Sequence, residues 1–326
     1  KKTTKQMGQK MFSSELWNNP GGSSQLTQKA IFGFGQNGGS NTGVTNLVSD
    51  SGVVASDTAG VGTARNMLGA AGYGGDKAIF GFGTTGSRTA ITNLVSNVGV
   101  VASDTAGVGL VRNGIAAAGY GEDKAIFGFG VDDTGGDGND KTAITNLVSN
   151  SGVVASDTAG VGSPRGVPAA AGYGGDKAIF GFGFLATGIS FTNLSNLVSN
   201  TGVVASDTTG VGTVRGWLGA AGYGEDKAIF GFGFIHPGNA NTAITNLVSN
   251  TGVVATDTAG VGTARLLLAG AVYGGDKAIF GFGRPATSGS SGTAVTNLVS
   301  NSGVVATDTA GVGSVRLGIA AAGYAN

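Results

Sequence analysis

The chain has 326 residues, 40% of them hydrophobic, with 64 glycines and no cysteine. Its 19 basic residues balance 19 acidic ones, so it lacks the basic surface that binds nucleic-acid phosphates or anionic membranes. No apolar run reaches about 18 residues, which excludes a membrane-spanning helix, and the absence of cysteine excludes disulfides and thiolate metal sites.

Residues 1–28 form a leader that is unrelated to the rest of the chain. Met7, Met11 and Leu16 recur at helical spacing, and a turn signal follows at residues 19–22. Two interpretations stay open: a flexible leader, or a tether that attaches the chain to a larger assembly. Because the chain does not begin with methionine, we expect a processed or truncated form.

A seven-residue string, KAIFGFG, organises the remainder of the chain. It occurs six times, beginning at Lys29, Lys77, Lys124, Lys177, Lys227 and Lys277. The period of 47 to 53 residues is typical of solenoids, propellers and other repeat arrays.

Each repeat contains four apolar segments separated by turn residues. In the second copy these are KAIFGFG at 77–83, AITNLVSN at 90–97, GVVASDT at 99–105 and IAAAGY at 115–120, the last preceded by Arg112. β-branched residues, frequent glycines and tight turns favour short antiparallel strands over helices. Four strands per period of about 50 residues match one blade of a β-propeller.

The order of these segments resembles the kelch repeat, in which an arginine precedes the first strand and the second strand ends in glycines. An asparagine also stands where the third kelch strand begins, at Asn93, Asn146, Asn246 and Asn297. The repeat departs from kelch in reading Gly-Phe-Gly for Gly-Gly and in lacking a tryptophan in the fourth strand. It looks like a divergent kelch-type unit of the kind found in phage and microbial surface proteins.

The resemblance covers residues 29–326 and implies a closed ring. The first KAIFGFG has no alanine-rich strand before it, and the last such strand, residues 317–324, has no KAIFGFG after it. We therefore predict an all-β, six-bladed β-propeller of four-stranded antiparallel blades, in which the C-terminal strand completes the first blade. Residues 1–28 form the leader and residues 29–326 the propeller.

Two zones differ between the copies while the scaffold stays constant. One follows each KAIFGFG and the other follows each arginine, and antiparallel pairing predicts that both lie at one end of the blade. Divergent loops on a constant scaffold indicate a binding face, although unconstrained drift of the loops is the alternative. The expected ligand contacts are Arg284, His236, Phe234, Trp217, Phe184, Asp132, Asp133 and Met67.

The arginines of the repeats are expected to form a ring at the mouth of the central channel. They are Arg65, Arg112, Arg165, Arg215, Arg265 and Arg316. Six guanidiniums could bind a carboxylate, phosphate or sulfate. The alternative is that each anchors its blade by bonding to carbonyls or to a neighbouring aspartate.

Catalytic and metal-binding patterns are weak. His236 is the only histidine, and no GxSxG motif is present. We therefore expect that the protein is not an enzyme and that it binds no metal and no cofactor. The repeated aspartates of Ser/Thr-Asp-Thr are expected to make structural hydrogen bonds, and those at 132, 133, 137 and 140 to be solvated loop acids rather than Ca²⁺ ligands. A GxGxxG at residues 81–86 lacks the following helix that a dinucleotide site needs.

The sequence therefore predicts a non-enzymatic recognition or attachment module, such as a phage or cell-surface adhesin, that binds a surface glycan or protein receptor. We expect it to be extracellular, on a cell surface or in a virion. The alternatives are a structural building block joined to virion or surface-assembly proteins through residues 1–28, and a propeller hydrolase acting on glycans.

Overall fold

The computed structural model describes residues 28–134, 140–185, 190–286 and 291–325. Within these ranges the chain forms 29 β-strands, numbered β1 to β29 in chain order, and no α-helix. Six antiparallel sheets with the same strand order repeat along the described chain. The all-β prediction is confirmed, whereas the expectations for the leader lie outside the described residues except at Gln28.

Three kinds of strand build these six sheets. The first kind is rich in alanine and glycine: β5 (Gly69–Tyr73), β8 (Ala116–Tyr120), β14 (Ala169–Tyr173), β19 (Gly219–Tyr223), β25 (Ala269–Tyr273) and β29 (Ala320–Tyr324). The middle kind is KAIFG: β1 (Lys29–Gly33), β6 (Lys77–Gly81), β9 (Lys124–Gly128), β15 (Lys177–Gly181), β20 (Lys227–Gly231) and β26 (Lys277–Gly281). The third kind reads TNLV or SNLV: β4 (Thr45–Val48), β7 (Thr92–Val95), β12 (Thr145–Val148), β17 (Ser195–Val198), β23 (Thr245–Val248) and β28 (Thr296–Val299).

Two-residue strands extend the sheets at one end. They are β2 (Gln36–Asn37), β3 (Ser40–Asn41), β10 (Val131–Asp132), β11 (Asp140–Lys141), β13 (Arg165–Gly166), β16 (Phe184–Leu185), β18 (Arg215–Gly216), β21 (Phe234–Ile235), β22 (Ala240–Asn241), β24 (Arg265–Leu266) and β27 (Arg284–Pro285).

Each middle strand pairs antiparallel with a first-kind strand on one side and a third-kind strand on the other. In the second sheet Tyr73 faces Lys77, so residues 74–76 are the hairpin connection. In the first sheet the distant ends of the chain make the same pairing, with Lys29 opposite Tyr324. The predicted pairing of the C-terminal strand with the first copy is thus confirmed.

The GVVASDT segment, which lies at the outer edge of each sheet, does not form a continuous strand, which corrects the expectation of four-stranded ladders. In the first sheet only the bridges Val48–Val54 and Thr45–Thr58 join it to β4. Five residues of the outer segment face four of β4, so one residue bulges and the ladder is interrupted. The side chain of Asn46 fills the gap by donating Nδ2 to the carbonyl of Ala55 at 3.0 Å.

Neighbouring sheets pack face to face through apolar side chains. Six buried clusters are each built from two consecutive sheets, and one of them joins the sixth sheet to the first. In each, the second Phe of one KAIFGFG contacts the first Phe of the next, with centroids 5.1 to 5.4 Å apart. A Cβ on Gly81 would lie 2.7 Å from Cζ of Phe127, so this contact explains why glycine precedes the second Phe.

Aspartates of the outer segments bind the stretch of chain that enters their own sheet from the preceding copy. Asp104 accepts hydrogen bonds from Thr63 Oγ1 at 2.6 Å and from Asn93 Nδ2 at 2.9 Å, and Thr63 precedes the arginine that starts the second sheet. Partial burial raises the pKa of this carboxyl, but the hydrogen bonds outweigh burial and hold its pKa below 3.8. The pKa is lowered in the same way at four equivalent residues: Asp57, Asp207, Asp257 and Asp308.

We expect these carboxyls to make the protein sensitive to acid. Because their folded-state pKa lies below the unfolded value, their contribution is fully present above about pH 4 and is lost as the pH falls through the folded-state pKa. Urea unfolding from about pH 7 to about pH 3 measures the effect. The Asp207→Asn variant should show a shallower decline than the parent chain, and a free energy of unfolding that stays constant into acid would contradict the prediction.

Candidate binding face

The two variable zones meet at one end of every sheet, as the sequence predicts. The strand pairs β13–β16, β18–β21 and β24–β27 join the residues after an arginine to those after a KAIFGFG. In the other three sheets single bridges do the same: Gln36–Leu317, Asn66–Thr84 and Asn113–Val131. We call this end of the sheets the variable face.

The opposite end, here called the constant face, carries the repeated hairpins and turns. Its cavity of about 250 Å³ is lined by tyrosines, lysines and glycines of the hairpins. Lys77 lies 2.6 Å from Asp76, and Lys124, Lys177 and Lys227 make the equivalent ion pair, so these charges are neutralised locally. Gln28 also lines this cavity, which places the end of the leader on the constant face.

The six repeated arginines are buried, which corrects the expectation of an exposed ring at a channel mouth. Each has a relative exposure of 0%. Burial lowers the pKa of each guanidinium to about 10, although a nearby aspartate opposes the shift, so all six stay charged at neutral pH.

Arg215 shows how a buried arginine is satisfied. Its Nε donates to the carbonyl of Phe232 at 2.9 Å and its second terminal nitrogen donates to Asn246 Oδ1 at 2.6 Å, both within its own sheet. Its guanidinium also stacks on Phe182 of the preceding sheet, 4.3 Å from the ring centroid. The hydrogen bond to a carbonyl corresponds to the alternative weighed for these residues, in which each arginine anchors its own repeat.

The second residue after each arginine lies at the centre of the variable face. These residues are Met67, Gly114, Val167, Trp217, Leu267 and Gly318. All six have φ between 46° and 61°, a left-handed conformation that costs free energy for side chains other than glycine. Backbone hydrogen bonds of 2.8 to 2.9 Å join five of the six neighbouring pairs, for example Gly114 N to Met67 O. With the apolar residues that follow them, they line a depression of about 80 Å³.

Five aromatic rings gather beside this depression and define what we call the aromatic cluster: Phe184, Phe191, Trp217, Phe234 and His236. Trp217 contacts three of the rings, with centroid separations of 5.6 to 5.9 Å. Phe191 is buried beneath them, while the other four side chains are partly exposed. Four of the eight expected ligand contacts are thus brought together.

The other expected contacts are placed differently. Asp132 is only 2% exposed and accepts hydrogen bonds from the backbone and hydroxyl of Thr134, so its expected contact with a ligand is corrected. Asp133 is exposed and forms an ion pair with Arg88 of the previous copy. Arg284 is partly exposed in β27, and its backbone carbonyl accepts a hydrogen bond from Asn241 Nδ2 at 2.9 Å.

Sequence reasoning missed two members of this region. Phe191 was not singled out, although the unusual length of the fourth variable loop marks it as a candidate. Lys141 was also missed, and its Nζ lies 5.0 Å from the ring centroid of Phe184. Phe191 contacts Trp217, and Lys141 contacts Phe184. The two partners of each contact are far apart in sequence, so the periodicity of the repeat does not report them.

Among the residues in the described ranges, no group of three or more histidine, aspartate or glutamate side chains could hold a metal ion. Asp137 lies outside those ranges. No helix in the described part of the chain is long and apolar enough to cross a membrane.

The chain matches no protein-family model and no curated protein sequence.

Proposed function

We propose that the six sheets are the blades of a six-bladed, kelch-type β-propeller. Three repeated contacts support this: the Phe–Phe contacts between sheets, the contacts of β5 with β8 and β29, and a series of hairpin hydrogen bonds on the constant face. In that series Gly74 N donates to Asp123 O, and the pattern continues from sheet to sheet until Ala325 N donates to Asp76 O. The sixth hydrogen bond of the series returns to the second sheet, where the series began.

We further propose that the protein is a non-enzymatic recognition module that binds a surface glycan or protein receptor through its variable face, as an extracellular, cell-surface or virion component. The observation that carries this is the pairing of both variable zones at one end of every sheet, with the partly exposed aromatic cluster there. Aromatic anchors set among polar side chains are typical of recognition surfaces.

A loop graft tests the proposal. Residues 234–241 are replaced by residues 36–41, the equivalent hairpin of the first copy, which has the same flanking pairing. The graft keeps an anchor, because Asn41 and Asn241 each donate Nδ2 to a backbone carbonyl of the next sheet, at 3.1 and 2.9 Å. We expect binding to a glycan array or to receptor-bearing cells to fall about tenfold or more, with little change in thermal stability.

The control for the graft is Thr251→Val on the constant face, which copies Val98 at the equivalent turn of the second repeat. It should bind like the parent chain. Equal binding by the grafted chain, with its fold intact, would refute recognition through this face.

An alternative is a structural building block tethered by residues 1–28. The place of Gln28 on the constant face favours it, because a partner held by the leader would leave the variable face uncovered. Deleting residues 1–27 should then abolish incorporation into an assembly while leaving ligand binding unchanged.

A propeller hydrolase is the third candidate. Turnover of a bound glycan would support it, although Asp132 is buried and Asp133 is paired with Arg88.

A further inference from the structure

The depression at the centre of the variable face is lined by apolar side chains. Its lining consists of the six left-handed residues described above and the residues that follow them, which are Leu68, Ile115, Pro168, Leu218, Leu268 and Ile319. Among these lining residues the indole N–H of Trp217 is the single side-chain donor, and no side chain contains oxygen. The other polar atoms belong to the backbone, and five hydrogen bonds between neighbouring left-handed residues occupy part of them. A sugar hydroxyl placed here would lose water and find few partners, which costs free energy.

Side chains at the left-handed positions are not required by the fold. Gly114 and Gly318 occupy the same position in two repeats, with φ of 56° and 61°. Met67, Trp217 and Leu267 nevertheless hold φ of 53°, 53° and 57°, where a side chain strains the backbone, and all three are partly exposed. Strained residues cluster at ligand sites. Exposed apolar side chains at strained positions therefore point to a contact made outside this chain.

The size of the depression limits what it can take. Its volume of about 80 Å³ is roughly half of the ~150 Å³ that holds benzene in an engineered protein cavity. By that comparison it accommodates about three to four carbon atoms. The side chains of valine, leucine and isoleucine have this size, whereas a pyranose ring with its substituents is larger than benzene.

We propose that the central depression of the variable face binds one valine, leucine or isoleucine side chain of a protein partner. The uncharged lining matches an uncharged occupant. The aromatic cluster shares Trp217 with the depression, so it lies where the partner residues beside that side chain make contact. The inference rests on the proposed function and selects a protein receptor rather than a glycan as the ligand of the variable face.

Met67 offers a direct probe of the depression, because it is the only methionine in residues 29–326. The full chain is labelled at its methionine methyl groups, and Met7 and Met11 in the leader give reference signals. N-acetyl-leucinamide, N-acetyl-alaninamide and methyl β-glucoside are titrated and followed by NMR. We expect the leucine compound to shift the Met67 signal and to bind about tenfold more tightly than the alanine compound, because it buries more apolar surface. No shift with the leucine compound, or an equal shift with the glucoside, would overturn the proposal.

A blocking variant tests whether the partner uses the depression. Gly318→Met introduces the side chain that Met67 has at the equivalent position, and a Cβ at Gly318 meets its nearest atoms at 3.4 Å, so the variant fits. Binding of the leucine compound and binding to receptor-bearing cells should both fall about tenfold or more. The control is Gly175→Glu on the constant face, which copies Glu225 and imposes the same kind of backbone strain with no atom within 4 Å of the new Cβ. It should bind like the parent chain.

A second variant removes a wall of the depression without adding strain. Leu267→Gly restores the residue type found at Gly114 and Gly318, so we expect it to fold, and it should weaken the leucine compound about threefold or more. Unchanged affinity for the leucine compound in both Gly318→Met and Leu267→Gly would refute the assignment.

The outcomes separate this inference from the function on which it rests. If the loop graft abolishes binding to receptor-bearing cells but Gly318→Met does not weaken it, the variable face stands and the depression is not the anchor. A glycan that binds the parent chain and Gly318→Met equally would likewise refute the choice of a protein partner. If the leucine compound binds but neither the graft nor Gly318→Met changes cell binding, the depression takes an aliphatic group and recognition through the variable face is wrong.

Discussion

Replacing Arg215 with methionine is expected to destabilise the protein by about 3–5 kcal/mol. The substitution keeps much of the apolar stem but leaves the carbonyl of Phe232 and Oδ1 of Asn246 without a donor in a buried site. It also removes the guanidinium that stacks on Phe182 across the boundary between two sheets. Urea unfolding followed by tryptophan fluorescence and far-UV circular dichroism gives the free energy.

Arg284→Met is the matched control, because this arginine is partly exposed rather than buried. Its effect should stay within about 0.5 kcal/mol. If the two variants were equally stable, the repeated arginines would not be the anchors that their hydrogen bonds indicate.

Deleting residues 314–326 is expected to abolish cooperative folding, a loss of more than about 5 kcal/mol. The deletion removes β29, so β1 loses the partner that faces it from Lys29 to Gly33. It also uncovers the sides of β5 and β25 that contact β29 and leaves an unpaired strand edge, which promotes aggregation. Light scattering and the unfolding transition report both effects.

A circular permutant distinguishes the effect of losing β29 from the effect of moving the end of the chain. Residues 314–324 are placed first and joined to residues 29–313 by Gly-Gly-Asp, the connection found at residues 74–76. The sheet then has a local hairpin like the other five, and we expect stability within about 1–2 kcal/mol of the parent chain. An unstable permutant, or a stable deletion, would show that β29 is not the strand that completes the first sheet.

Much of the fold could be predicted because the repeat fixes the local structure six times. The spacing of KAIFGFG gave the middle strands, and antiparallel pairing brought the variable zones to one end. The break in the outer segment could not be predicted, since it depends on Asn46 replacing a backbone donor at Ala55. The left-handed φ of 63° at Phe34 is likewise invisible in a string that reads as a regular strand.

The candidate site could be predicted only in part, because its contacts are made between different copies. Trp217, Phe184 and Phe234 stood out as aromatic residues in variable zones, but the contacts among them depend on the arrangement of two neighbouring sheets. Charge was the less reliable guide. A repeated arginine suggests a surface, yet all six are buried and donate hydrogen bonds in the interior, as Arg215 does to Phe232 O and Asn246 Oδ1. Asp132 is likewise buried and accepts a hydrogen bond from Thr134.

The pairing of β1 with β29 also sets the order in which a growing polypeptide can fold. Strands β5, β6 and β7 leave the ribosome close together and can pair at once, as can those of the next four sheets. The first sheet, although its middle strand β1 is made before those of the other five sheets, waits until β29 has been synthesised. Such distant pairing slows the final folding step. A chain in which β29 has not yet been made therefore exposes an open sheet edge, to which chaperones and proteases can bind.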